Sequence, residues 1–297
     1  MASKRMSKSA YPKTLLLPAG VLYLLFFFIP TGISFFFSLT RWNLQDWKFI
    51  GLENYRTYFD NPNLRVGFIN TFLYGVSTSI IKVVLGLLIA NFLTTRLRTR
   101  GFLRSTIFFP TLLSTVGIGL TFKVLLDPFH GPVNAGITAA LHWVSITAFG
   151  PGWLTDSNFL PLFTISLVDV WKGVGFATLI YIAGLATIPK DYYEAASVDG
   201  ASKRNQFFSI TLPLIRPAMF SVILLSFIGG LRSFDLIWAM TGGGPGFVSD
   251  VMGSINYKQY QAGFYGISTA GNVILLLFVT ALVVPLSRFL NRMEVEN

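Results

Sequence analysis

The sequence contains no cysteine. That excludes disulfides and thiolate-ligated metal sites, and it leaves the compartment open. Charge is scarce: 12% of the 297 residues are Asp, Glu, Lys or Arg, against about 25% in soluble globular domains. The histidines, His130 and His142, are too isolated to form a convincing metal pair. No G-x-x-x-x-G-K-[ST] run occurs, so this chain is not expected to bind ATP through a P-loop. No internal repeat and no second soluble domain can be discerned. What the chain has in excess is apolar: 53% of residues are hydrophobic, and 29 are Phe. This is the composition of a polytopic membrane protein. A formal net charge of +10 raises the question of a nucleic-acid partner. The cations, however, cluster at the ends of apolar runs, so membrane lipid is their partner and nucleic acid is not.

The apolar runs cover about 14–39, 67–93, 106–125, 160–185, 213–234 and 269–290. Each is long enough to cross a hydrocarbon core about 30 Å thick. Pro18 and Pro30 are expected to kink the first. Lys4, Arg5, Lys8 and Lys13 precede it in the manner of a signal peptide, but the run is too long for one and lacks a small-residue cleavage site, so it reads as a retained span. Trp42, Trp47, Tyr55 and Tyr58 suit an interfacial belt. A short surface helix is expected over about 137–144. The segment 94–105 carries Arg96, Arg98, Arg100 and Arg104 without an acid, 126–159 carries no Lys or Arg, and 235–268 carries only Lys258. The 40–66 segment breaks the pattern with Arg41, Lys48, Arg56 and Arg65. The balance predicts an all-α fold of six spans in a single domain, 1–297, with both termini cytoplasmic.

Between the fourth and fifth runs lies a polar stretch, 191–213, reading D-Y-Y-E-A-A-S-V-D-G-A-S-K-R-N-Q-F-F-S-I-T-L-P. Asp191 is a plausible N-cap with Glu194 three residues on. Gly200 suits a helix stop. A second short helix is expected from Ser202 to about Leu212, and Pro213 fits the start of the next span. Two readings fit this pattern: an amphipathic loop resting on the membrane surface, or an element gripped from the aqueous side by a partner.

Glu194-Ala195-Ala196, then Asp199-Gly200, then Ile210-Thr211-Leu212-Pro213 resembles, at full spacing, the EAA motif of bacterial ABC-importer permeases. Gly51-Leu52-Glu53-Asn54-Tyr55, the H-G-P-V-N and Gly152-Trp153-Leu154 segments, and Phe234-Asp235 with Thr241-Gly242-Gly243-Gly244-Pro245 resemble the carbohydrate-uptake branch of that family, which includes maltose, oligosaccharide and glycerol-phosphate permeases. The resemblance implies a type I importer transmembrane domain whose 191–213 loop is the coupling helix docking on an ATPase. It implies a heterodimer with a second homologous permease, two ATPase subunits that hold ATP and Mg, and an extracellular or periplasmic sugar-binding protein. It implies a bacterial or archaeal cell membrane, no enzymatic activity and no cofactor in this chain.

Ionisable residues inside spans are costly and are default functional candidates. Asp169 and Lys172 lie on one helical face of the fourth span, able either to pair with each other or to contact a solute. Trp171 offers an aromatic face for a sugar ring, with Gly173 beside it. On the fifth span Ser226, Gly229, Gly230, Arg232 and Ser233 either let helices approach or leave room for a ligand. By spacing from Glu194, the resemblance to maltose-type permeases places sugar contacts at Asp169, Lys172, Gly173, Ser226, Gly230 and Ser233. Lys82, Lys123 and Asn272 are weaker candidates, and Lys82 has no evident role. The readings to be told apart are a sugar permease, a permease for glycerol phosphate or another polar solute, and a stand-alone secondary transporter. The last predicts inverted repeats or carboxylate relays, which the sequence does not display.

Overall fold

The computed structural model describes residues 16–95, 98–143 and 151–295. Lys4, Arg5, Lys8, Lys13, Arg96, Val144 and the His142 side chain lie outside the described residues.

The first span is α1, Leu17–Ser38. Pro18 sits in its first turn, where a missing N–H costs nothing, and begins the helix rather than kinking it. Pro30 acts differently. Its ring would strike the carbonyl four residues back, and the helix widens into a π turn at Leu24–Phe28 just before it. A two-stranded hairpin follows, β1 Thr40–Trp42 and β2 Trp47–Phe49, antiparallel with Trp42 opposite Trp47. The G-L-E-N-Y motif ties it down. Gly51 turns at φ 61°, and the Asn54 side-chain amide donates to the carbonyls of Ser38 and Thr40 at 2.9 and 2.8 Å. Tyr58, expected at the membrane interface, is fully buried on α2, Glu53–Asp60, and donates to Asn256 Oδ1 at 2.9 Å. A phenol at an interface needs only one wet end; this one has found a buried acceptor instead.

The second span, α3, runs Pro62–Thr94 and begins earlier than hydropathy suggests, because Asn61 caps it by accepting the Asn63 N–H and Pro62 opens its first turn. The third run is not one straight helix. It is α4, Arg100–Leu112, and α5, Thr115–Leu125, meeting at 95°. Leu113 is extended and Ser114 caps the new helix, accepting the Gly117 N–H. The capping chemistry sits inside an apolar stretch, so hydropathy alone reads through it. After α6, Pro132–Trp143, comes the fourth span, α7, Leu160–Ala186. The H-G-P-V-N and G-W-L segments meet there: Trp153 Nε1 donates to Asn134 Oδ1 at 2.7 Å.

Helices α8, Lys190–Val198, and α9, Lys203–Leu214, form the polar stretch. The fifth span, α10, is Arg216–Leu231 and turns 68° from α9. Pro213 therefore closes α9 rather than opening the span. Its ring forces a second π turn at Phe207–Thr211, and Pro217 starts α10. Helices α11, Asp235–Thr241, α12, Met252–Gln261, and the last span α13, Tyr265–Val295, complete the chain. Among the described residues four helices are long and apolar enough to cross a membrane, or up to six if each bent pair is one span.

Helix α3 packs against both α7 and α10. Small residues set the distances: a Cβ on Gly230 would come 2.8 Å from the Gly75 Cα, and one on Gly86 would come 2.9 Å from the Ala177 Cβ. One apolar cluster gathers Tyr74, Leu162, Ile165 and Ile237; another gathers Ala90, Tyr181, Ile215 and Val222.

The T-G-G-G-P segment forms a closed polar knot against α3. Asn70 Nδ2 donates to the carbonyls of Val248 and Asp250 at 3.0 and 2.8 Å, and Thr71 Oγ1 accepts the Met252 N–H at 2.9 Å. Asp250 is fully buried and is met by Lys258 Nζ and Ser254 Oγ. Gly243 has φ +88°, and any side chain there would run into that carboxylate. Burial pushes the Asp250 carboxyl above its ordinary range, against the pull of its two donors. Asn272 is also satisfied structurally, accepting from Asn256 Nδ2 at 2.9 Å.

Candidate functional site

Two places stand out. The first is the hairpin of α8 and α9. None of the residues of α8 is buried. Val198 is 88% exposed and Tyr192 55%, apolar surface on a helix far too short to cross a membrane. The helix does not use Asp191 as its cap: it begins at Lys190 after Pro189, and Asp191 falls in the first turn, where it complements the positive helix end. Glu194 and Ala195 are exposed one turn on, and Ala196 is half-buried.

The stop is set by glycine. Gly200 has φ +78°. The Ala201 N–H reaches the Ala196 carbonyl at 2.8 Å and the Gly200 N–H the Ser197 carbonyl at 3.2 Å, with Asp199 as the C-cap. This is the paired-bond termination that requires a left-handed residue, hence Gly. Ser202 then caps α9 by accepting the Asn205 N–H. Two side-chain bonds hold the hairpin closed: Tyr193 OH shares a hydrogen bond with Thr211 Oγ1 at 2.9 Å, and Gln206 Nε2 donates to Ser197 Oγ at 2.9 Å. Ile210 and Leu212 are half-buried and Pro213 is half-buried beside them, at the joint with the fifth span.

The second place is a cavity of about 310 Å³ between α7 and α10, reached by α3 and α4. Its wall on α7 is Asp169, Lys172, Gly173, Phe176 and Ile180, a single helical face. From α10 come Val222, Leu225, Ser226 and Gly229, from α4 Thr111, and from α3 Lys82. Asp169 does not pair with Lys172. Its partner is Lys82, whose Nζ donates to Asp169 Oδ2 at 2.7 Å, with the side chains 10% and 20% exposed respectively. Gly173 makes this possible, since a Cβ there would sit 2.8 Å from the Lys82 Cε. The lysine without an evident role in the sequence is thus the counter-ion of the intramembrane carboxylate.

Other expectations shift as well. Trp171, two positions from Asp169 and so on the opposite face, is 44% exposed and packs edge-on against Phe122 with ring centroids 5.5 Å apart. Phe176 is the aromatic of the cavity. Gly230 lies against Gly75 rather than on the cavity, and its neighbour Gly229 takes the wall position. Arg232 is the C-cap of α10 and Ser233 lies in the turn after it, both beyond the lining. Thr111, Phe176, Ala177, Ile180, Val222 and Leu225 went unnoticed in the sequence; the helical repeats along α7 from Asp169 and along α10 around Ser226 would have found all but Thr111, whose Oγ1 donates from α4 to the Lys172 carbonyl of α7 at 2.8 Å.

The model of the family described as "Binding-protein-dependent transport system inner membrane component" matches residues 82–294. The chain belongs to this family. It is a multi-pass permease subunit of an ABC importer. The permease is 33% identical over 282 residues to the trehalose/maltose transport system permease protein MalF of Thermococcus litoralis, covering 93% of this chain and 92% of that protein. It is 28% identical over 290 residues to the sn-glycerol-3-phosphate transport system permease protein UgpA of Pectobacterium atrosepticum, covering 95% and 94%. Its fold matches a chain of a bacterial ABC transporter that imports the acidic polysaccharide alginate, with a TM-score of 0.78 at 23% identity over 94% of each chain.

Proposed function

We propose that this permease forms half of the translocation pathway of an ATP-driven importer for a sugar, specifically an oligosaccharide, and couples to a separate ATPase through α8 and α9. The observation that carries the coupling is the exposure of α8. A helix with apolar residues in water, closed by a glycine stop and two side-chain bonds, is a surface shaped for a partner. Glu194, Ala195, Ala196, Asp199 and Gly200 present it, and Ile210, Leu212 and Pro213 pass its displacement to the fifth span. A second homologous permease, two ATPase subunits holding ATP and Mg, and an external sugar-binding protein complete the assembly, which sits in a bacterial or archaeal cell membrane with both termini cytoplasmic. ATP binding closes the ATPases and moves α8. The motion is useful only because contacts differ between two states, inward-open and outward-open. The cavity beside Phe176 and Ser226 is the sugar's path through this chain, and the carbohydrate relatives support the substrate class.

A second reading, a permease for glycerol phosphate or another polar solute, draws on the glycerol-phosphate relative and on the two lysines of the cavity. The test is co-purification: a tag on this chain, mild solubilisation from the native membrane, and identification of what accompanies it. A second permease, an ATPase and a binding protein whose bound ligand is a sugar are expected. A chain that comes out alone and moves solute in liposomes without ATP would overturn the proposal.

A further inference from the structure

The cavity carries one charge too many. Lys82 and Asp169 cancel each other at 2.7 Å. Lys172 shares the same cavity, and its ammonium has no hydrogen-bond or ion-pair partner among the described residues. Gly173 is the central residue of α7, Leu160–Ala186, so Lys172 lies at the middle of the span, too far from either end for its stem to reach an interface. A cation there is expensive unless an anion or water meets it. Of the polar groups around it, the Thr111 hydroxyl is spent on the Lys172 carbonyl, and the Ser226 hydroxyl is without a protein partner among the described residues. What remains is a lone ammonium, an available hydroxyl and the Phe176 ring, around a volume of about 310 Å³, at the small end of the 300–1,000 Å³ typical of ligand sites.

We infer that Lys172 is a specificity-determining residue, and that it selects a saccharide bearing a carboxylate, that is, an oligosaccharide containing a uronic acid. The inference rests on the reading of the chain as a sugar permease and narrows its substrate class. Charge arithmetic favours a carboxylate over a phosphate. The cavity offers a net charge of one, and Asp169 stands on the same wall. A phosphate monoester brings about −1.5 to −2 and meets that carboxylate with an excess of like charge. A uronate brings a single charge, accepts from the ammonium, and leaves hydroxyls for Ser226 and a C–H face for Phe176.

The test uses the whole complex with its own binding protein in proteoliposomes. Uptake is measured for three probes of matched size: a neutral glucose oligosaccharide, the same oligosaccharide with one glucuronic acid, and a phosphorylated form. The glucuronate probe is expected to enter best. Lys172→Gln should cut its uptake about tenfold or more, the scale of a charged hydrogen bond lost, while Lys172→Arg restores most of it and assembly is unchanged. Preferential uptake of the neutral or the phosphorylated probe overturns the inference and leaves the sugar reading standing. So does a Lys172→Gln variant that lowers every probe equally, which would make Lys172 a structural residue or the partner of a carboxylate on the second permease. If no carbohydrate moves although ATP hydrolysis is stimulated by another solute, the sugar reading itself fails and takes this one with it.

Discussion

Two of the chain's glycine-marked polar segments are built in opposite ways. Around Gly243 the backbone folds onto α3, Asp250 is fully buried against Lys258 and Ser254, and Asn70 gathers the loop carbonyls. Around Gly200 the backbone folds only onto itself, and α8 buries none of its residues. The same residue type, used for the same positive φ, serves a buried knot in one place and an exposed hairpin in the other. The difference lies in where the side chains go. A segment whose polar groups are consumed internally has little left with which to bind. One that satisfies its backbone with a glycine stop leaves most of its side chains exposed.

The comparison can be broken most sharply at Gly200. Gly200→Val forces a β-branched residue into a left-handed conformation costing about 1–2 kcal/mol, and α8 should lose its stop. Transport and substrate-stimulated ATP hydrolysis by the complex should fall at least about 100-fold while the chain still inserts and folds. Undiminished stimulation would show that the shape of α8 is not what the ATPase reads. Lys258→Met tests the other segment. It strands a buried carboxylate and should cost about 3–5 kcal/mol, read as a lower apparent Tm in detergent, with little specific effect on coupling in whatever protein survives.

That segment also has a pH signature. Because burial raises the Asp250 carboxyl above its unfolded value, the native state holds this proton more tightly. Its stabilising contribution is complete below the unfolded pKa of about 3.9 and is lost as pH rises through the folded value. The apparent Tm of Lys258→Met should therefore fall as pH rises from 4 toward neutrality, more steeply than that of the unaltered protein, and Asp250→Asn should remove the dependence.

Between these extremes lies the Lys82–Asp169 pair. Lys82→Met alone or Asp169→Leu alone should each destabilise by about 3–5 kcal/mol, whereas the double replacement should be close to neutral for stability. A thermal-unfolding cycle gives the answer, and additive losses would mean the pair is not coupled. Smallest of all, Tyr193→Phe removes one hydrogen bond to Thr211 and should cost about 1 kcal/mol, visible as modestly faster proteolysis of the α8–α9 hairpin.

Much of the molecule was legible in residue order. Long apolar runs bounded by basic clusters marked the spans. The E-A-A…G spacing marked a helix, a stop and a second helix, and the stop fell at Gly200 as expected. What could not be read were the breaks inside apolar stretches. Ser114 turns the chain by 95° and Pro217 by 68°, and hydropathy is blind to both because a cap or a proline scarcely changes a window average. Tyr58 was misplaced for a related reason: an interfacial tyrosine and a buried one look alike until the acceptor, Asn256, is brought across from the far end of the chain.

Sequence by itself determined the class of protein, the polar hairpin and its glycine stop, because these depend on composition, backbone conformation and spacing within a few residues. Only the tertiary structure decided which charges meet. Lys82 and Asp169 are 87 positions apart, and nothing local to either selects the other over the nearer Lys172. The choice is made by helix packing, in which the missing side chain of Gly173 lets α3 send its lysine across to α7 and so leaves Lys172 without an ion-pair partner among the described residues.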